Sequence, residues 1–102
     1  MINRALASQL PAVTRILKEN GVKRAYAFGS VCTDQFTDDS DIDLLIAFDE
    51  RIDPVQYGES YFVIAHALES VLKRPVDLLT ERSLKNPYFI NQVNRTKMVI
   101  YE

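Results

Sequence analysis

Asp41 and Asp43 stand one residue apart at the mouth of an apolar run, Ile42-Asp43-Leu44-Leu45-Ile46-Ala47-Phe48. Side chains alternate across a strand, so the two carboxylates share one side with their α-carbons about 7 Å apart. Ile42 and Leu44 then point the opposite way, into a core. Paired like charges repel unless something positive sits between them, and a divalent cation is the compact way to supply it. A third aspartate, Asp77, interrupts the otherwise apolar run Val76-Asp77-Leu78-Leu79, where burial without a partner would be costly. If that run lies beside the first, Asp77 completes a three-carboxylate cluster of hard oxygen donors. Such a set suits magnesium, which takes one or two carboxylates together with substrate phosphates. Gly29-Ser30 closes a preceding short strand. A glycine there lets a phosphate approach the backbone, and a serine at a helix start offers a hydroxyl and an N–H to an anion. Each piece alone has an ordinary role: a D-x-D pair accepts turn hydrogen bonds, Asp77 fits the surface of an edge strand, and Gly-Ser makes a plain turn. Together they supply different parts of one phosphate reaction.

The charge distribution agrees. No Lys or Arg occurs between Arg24 and Arg51, and that stretch holds seven of the fourteen acids: Asp34, Asp38, Asp39, Asp41, Asp43, Asp49 and Glu50. Over the whole chain, 12 Lys+Arg against 14 Asp+Glu give a formal charge of −2, the wrong sign for binding double-stranded nucleic acid or anionic lipid by counterion release. The 102 residues, 47% hydrophobic and 25% charged, predict a single domain over 1–102 rather than disorder. Cys32 is the one cysteine, which excludes an intrachain disulfide and a multi-cysteine metal site. The first thirteen residues lack the long apolar stretch of a signal peptide, and no run reaches membrane-spanning length. A reduced, cytoplasmic setting is the expectation.

The elements that must position these residues follow from periodicity. Leu6, Leu10, Val13 and Leu17 mark an amphipathic helix over Asn3–Asn20, kinked or split by Pro11 and ended by Asn20-Gly21. Strands are predicted at Ala25–Phe28, at Ile42–Phe48 with burial on both faces, at Pro75–Leu79, and at Met98–Tyr101 on an edge. A long helix starts at Asp53-Pro54 and runs to about Lys73. A short one follows Asn86-Pro87 and carries Phe89, Ile90 and Val93. The order α-β-β-α-β-α-β predicts an α/β domain with a mixed sheet of about four strands flanked by helices. His66 falls on the solvent side of the long helix. Cys32 reads as a packed residue with nothing basic near it to lower its pKa. Lys73-Arg74 reads as a solvated helix C-terminus favoured by the dipole, and Asp34, Asp38 and Asp39 as loop acids.

Gly29-Ser30, ten intervening residues and Asp41-Ile42-Asp43 spell the signature G-S-x(10)-D-x-D. With Ala27-Phe28 before it, Asp39-Ser40 and Leu44-Leu45 around it, Val76–Leu79 after it and the ending Met98-Val99-Ile100-Tyr101-Glu102, the chain resembles the minimal nucleotidyltransferase domains of the DNA polymerase beta superfamily over nearly its whole length. The resemblance implies the nucleotidyltransferase-type sheet and transfer of a nucleoside monophosphate, AMP from ATP, with release of pyrophosphate. It implies that Asp41 and Asp43 hold two Mg2+ ions, that Asp77 helps bind the ion at the acceptor hydroxyl, and that Gly29 and Ser30 contact the nucleotide. It also implies kinship with the antitoxins of toxin–antitoxin pairs, whose partner is an all-helical HEPN-type ribonuclease that receives AMP on a tyrosine. Two other readings stand beside it. One is a nucleotide-binding module acting by contact alone, since many members carry a basic residue soon after Gly-Ser and Val31-Cys32-Thr33-Asp34 has none. The other is the catalytic subunit of a small-molecule nucleotidyltransferase, although such relatives hold their acceptor with an additional helical domain.

Overall fold

The computed structural model describes Met1–Glu102. Its first helical stretch is two pieces, α1 (Arg4–Ala7) and α2 (Leu10–Glu19). The split expected from Pro11 falls at Ser8-Gln9, which leaves the proline in the first turn of α2, where its missing N–H costs no helical bond. Asn3 caps α1 by accepting the Ala5 N–H at 2.8 Å. Gly21, at φ 79°, makes the left-handed exit from α2 that glycine tolerates best.

β1 (Val22–Phe28) begins three residues before the expected Ala25 and pairs antiparallel with β2 (Ile42–Phe48). The earlier start has a clear cause. Arg24 is neutralised by Glu81, its Nε and Nη2 donating to the two carboxylate oxygens at 2.9 and 2.6 Å. That fork-to-fork pair lets a charged segment continue as strand. After β2 comes α3 (Pro54–Leu72), capped by Asp53, whose carboxylate accepts the Gln56 N–H. Next come β3 (Val76–Thr80), α4 (Pro87–Thr96) under an Asn86 cap, and the edge strand β4 (Met98–Tyr101). The sheet order is β3-β2-β1-β4, with β2 and β3 parallel across α3 and the other pairs antiparallel. The mixed four-stranded sheet with flanking helices is therefore as expected.

The core explains why β2 is apolar on both sides. Ile42, Leu44, Ile46 and Phe48 join Val13 and Leu17 of α2 and Ile64 and Leu68 of α3 in the main cluster. Leu45, on the alternate face, packs with Phe28 and with Val93 of α4 in a smaller one. By the two-residue period, Asp43 shares Leu45's face, the side covered by α4. Two tyrosines fasten α3 to the outer strand: Tyr57 donates its hydroxyl to Thr80 Oγ1 at 2.6 Å, and Tyr61 donates to the Leu78 carbonyl at 2.7 Å. No helix is long and apolar enough to cross a membrane.

Candidate active site

The ends of three strands meet where the sequence motifs lie. Phe28, the last residue of β1, is the register partner of Asp43, and Asp43 is in turn the register partner of Asp77 on the parallel strand β3. The condition set on Asp77 is thus met, since its strand lies beside that of Asp43. Asp41 sits one residue before β2 and is exposed, as is Asp77, whereas Asp43 is half-buried between its neighbours. Burial, then the charge of Asp77, then that of Asp41, push the Asp43 carboxyl up from 3.8 to about 6. Burial alone disfavours the charged carboxylate, and the two neighbouring acids add like charge to that cost. The three-carboxylate cluster expected once the strands are adjacent is not formed: no three acidic, imidazole or thiol side chains stand close enough to enclose an ion unaided, because Asp41 lies one residue before β2 and outside its register with β3. The strands build a facing pair, Asp43 and Asp77, with Asp41 beyond it.

Gly29 adopts φ 74° and lies against the Asp43 side chain. A β-carbon at Gly29 would run into the Asp43 carboxylate, with Cγ only 3.3 Å away. The glycine is thus required twice, by its left-handed backbone and by the space Asp43 occupies, before any ligand is considered. Ser30 does not open a true helix. Gly29–Cys32 is a single 3₁₀ turn, closed when the Thr33 N–H and hydroxyl both donate to the Ser30 carbonyl at 3.0 and 2.9 Å. A turn this short has no helical dipole to offer an anion. Cys32 is half-buried, and burial pushes its thiol up, which suits a packing residue. His66 is exposed.

Arg74 has a role that its position in the sequence conceals. Expected as a solvated helix end, it instead donates from Nη1 to the carbonyls of Thr37 and Ser40 at 3.2 and 3.0 Å, with its guanidinium 4.7 Å from the Phe36 ring centre. These contacts span 34 residues or more of sequence, so no local pattern signals them. They fix the loop that delivers Asp41. Arg74→Ala is expected to remove about 1–3 kcal/mol of stability, the worth of charge-assisted hydrogen bonds to carbonyls. It should also lower transfer activity, because Asp41 loses its support. Thermal melting and kcat/KM measured together check this; unchanged values for both would show the clamp to be idle.

A cavity of about 440 Å³ opens between Asp43 and α4, lined by Phe28, Gly29, Asp43, Phe89, Gln92, Val93, Arg95 and Thr96. Phe89 closes one side with its ring edge-on to Phe28 at 6.0 Å. The sequence marks α4 by its apolar stripe of Phe89, Ile90 and Val93 and does not single out the polar residues that line the cavity. Phe89, Gln92, Val93 and Thr96 recur at i, i+3, i+4 and i+7 and so share one face; the polar members of that face were the available signal. A separate cavity of about 290 Å³ surrounds the Arg24–Glu81 pair and contains none of the motif residues.

Comparison with known proteins agrees with the geometry. Residues 12–102 match the family described as "Polymerase beta, Nucleotidyltransferase", and the chain belongs to that family and is a nucleotidyltransferase. A candidate protein adenylyltransferase of Methanocaldococcus jannaschii is 40% identical over 75 residues, spanning 72% of this chain and 73% of its own. A solved structure described as a minimal nucleotidyltransferase superposes with a TM-score of 0.73 at 33% identity, covering 96% of this chain and 95% of that one. The fold is shared also, at TM-score 0.65 and 22% identity over 92% of this chain and 70% of the other, with a complex described as the tri-AMPylated HEPN toxin of Shewanella oneidensis with its MNT antitoxin.

Proposed function

We propose that residues 1–102 act as one catalytic unit that transfers AMP from ATP to a hydroxyl on a HEPN-type helical partner protein, as the antitoxin of a toxin–antitoxin pair. The observation that carries this reading is the register of Asp43 with Asp77 beside Gly29 at the mouth of the α4 cavity. The donor set fits magnesium: hard carboxylate oxygens, with Asp43 raised by burial and then by the charges of Asp77 and Asp41, and an open side where waters and phosphates complete the shell. Asp41 and Asp43 would hold two Mg2+ ions with the nucleotide, and Asp77 would serve the ion on the acceptor side. When bound, paired ions neutralise the phosphate charge and lower the pKa of the attacking hydroxyl. The acceptor oxygen bonds to the α-phosphorus, the bond from that phosphorus to the bridging oxygen breaks, pyrophosphate leaves and the hydroxyl proton passes to water.

What remains for the chain is positioning. Gly29 keeps the strand end low so that the nucleotide reaches Asp43, and Ser30 stands beside it with its N–H and hydroxyl. Asp77 lies on the outer strand of the sheet and is exposed, so an acceptor carried by a large partner can approach from that side. The description of the archaeal relative as a protein adenylyltransferase and of the Shewanella complex as an AMPylated toxin with its antitoxin support the choice of AMP and of a protein acceptor. An ATP donor and an unpaired Cys32 fit the cytoplasm.

Co-expression with the partner, read by intact-mass spectrometry, tests the proposal. With the unaltered chain the partner is expected to gain one or more AMP masses. With Asp77→Asn it should gain none while the complex still forms, because Asp77 acts chiefly in the transition state. An unmodified partner that the chain nonetheless silences, equally well with Asp77→Asn, would show a binding module instead.

A further inference from the structure

The cavity between Asp43 and α4 needs a positive charge that the motif region does not contain. A nucleoside triphosphate brings several negative charges to a place that already holds Asp41, Asp43 and Asp77, and no Lys or Arg occurs from Ala25 to Glu50. Three cations near these elements are engaged. Arg24 is paired with Glu81, Arg74 is spent on the Thr37 and Ser40 carbonyls, and Lys97 rests over the Tyr26 ring at 4.4 Å. Arg95 is different. It lines the same cavity as Gly29 and Asp43, and it takes part in neither of the protein's two ion pairs, Arg24–Glu81 and Arg51–Asp49.

We propose that Arg95, in the last turn of α4, is the cation that binds the phosphates of the incoming nucleotide beyond the reacting one, and therefore the pyrophosphate that leaves. The inference rests on the nucleotidyl-transfer reading and adds to it a residue outside the G-S-x(10)-D-x-D motif. The guanidinium suits the task because its planar fork meets phosphate oxygens with two parallel hydrogen bonds. Its charge also offsets the field of the three aspartates without competing for metal. An arginine in a last helical turn is favoured by the helix dipole wherever it points, but the dipole does not require it to line the cavity that Asp43 also lines. The base and ribose are left to the other side of the cavity, toward Phe89. Charge for the polyphosphate is thus delivered by α4, from beyond the sequence motif.

Calorimetric titration of the full chain with AMP, ATP and inorganic pyrophosphate, each with magnesium, tests the assignment. The unaltered chain should bind ATP more tightly than AMP. Arg95→Ala should weaken ATP and pyrophosphate by about ten- to a hundredfold, the worth of a charged hydrogen-bonding group, and change AMP by less than threefold. Arg95→Lys should recover part of the loss, and Lys97→Ala should resemble the unaltered chain. Melting temperature, followed alongside, should hardly move for Arg95→Ala because the residue is exposed and unpaired. Equal weakening of AMP and ATP, or unchanged pyrophosphate affinity, would overturn the role given to Arg95 while nucleotide binding stood. Failure of the unaltered chain to bind ATP would overturn the transfer reading as well.

Discussion

Asp43→Asn is expected to make the free protein more resistant to heat at pH 7.5 while abolishing nucleotidyl transfer. The folded chain holds the Asp43 proton with a pKa of about 6, against 3.8 ordinarily, so between those values it binds a proton that the unfolded chain has lost. Stability attributable to this group therefore falls as pH rises from about 4 to about 6, and the full penalty persists above that. Asparagine keeps the shape without the charge and escapes the penalty. The variant should melt a few degrees above the unaltered chain at pH 7.5, and the two should converge by pH 4. Partial exposure of Asp43 lets solvent screen the repulsion and keeps the gain modest. Magnesium should raise the melting temperature of the unaltered chain more than that of the variant. In the proposed role of Asp43 as a ligand, its loss should cost transfer more than the roughly 10–100-fold typical of groups that only support ligands. A variant that melts no higher than the unaltered chain at pH 7.5 would mean that Asp43 is already compensated.

Gly29→Ala should be damaging twice over. A residue with a β-carbon at φ 74° carries a strain of roughly 1–2 kcal/mol, and the same carbon displaces the Asp43 carboxylate. For a chain of this size each kcal/mol is worth about 4–8 °C of melting temperature, so a fall of that order or more is expected, together with loss of transfer. Reasoning from phosphate approach alone, the substitution would block nucleotide and leave the melting temperature near normal. The structure corrects this, because the first atoms the new methyl meets belong to the protein. A double-mutant cycle separates the two costs. With Asp43→Ala in place the collision is gone, and Gly29→Ala should cost only the backbone strain. If the penalty is as large with Asp43→Ala as without it, contact between the two residues is not what makes the glycine necessary.

How much of this was legible beforehand depends on the range of the interaction. The alternation from Asp41 to Leu44 carried the face of each carboxylate, and Ile42–Phe48 announced a strand covered on both sides, because a strand's period is local. Asp53-Pro54 and Asn86-Pro87 announced helix starts for the same reason. The true start of β1 stayed hidden because Lys23 and Arg24 look like loop until Glu81, 57 residues after Arg24, neutralises the arginine. The clamp of Arg74 on Thr37 and Ser40 was hidden likewise. Ser30 was assigned to a helix N-terminus because Gly-Ser commonly precedes one; what ends the turn after four residues is the hydroxyl of Thr33, a local detail with no periodic signature. Arg95 carries no local signal, since its significance lies in lining the cavity that Asp43 also lines.

One consequence follows from the place of β4 at the rim of the sheet. α4 forms the wall of the cavity, and the chain leaving it passes within one residue into β4, which pairs with β1 along its inner edge only. Met98 and Val99 there are exposed, so this strand is among the easiest parts of the molecule to detach by local opening. Detachment loosens the C-terminal end of the helix that carries Phe89, Gln92 and Arg95, a helix still held by its own packing of Val93 on Phe28 and Leu45. A ligand seated against that helix stabilises the closed form and so slows amide exchange in β4. By reciprocity, any contact that clamps β4 to β1 raises the affinity for that ligand by the same factor. A partner protein gripping the exposed edge of β4 would then tune nucleotide occupancy from outside the cavity, with the fraying of four residues as the adjustable quantity.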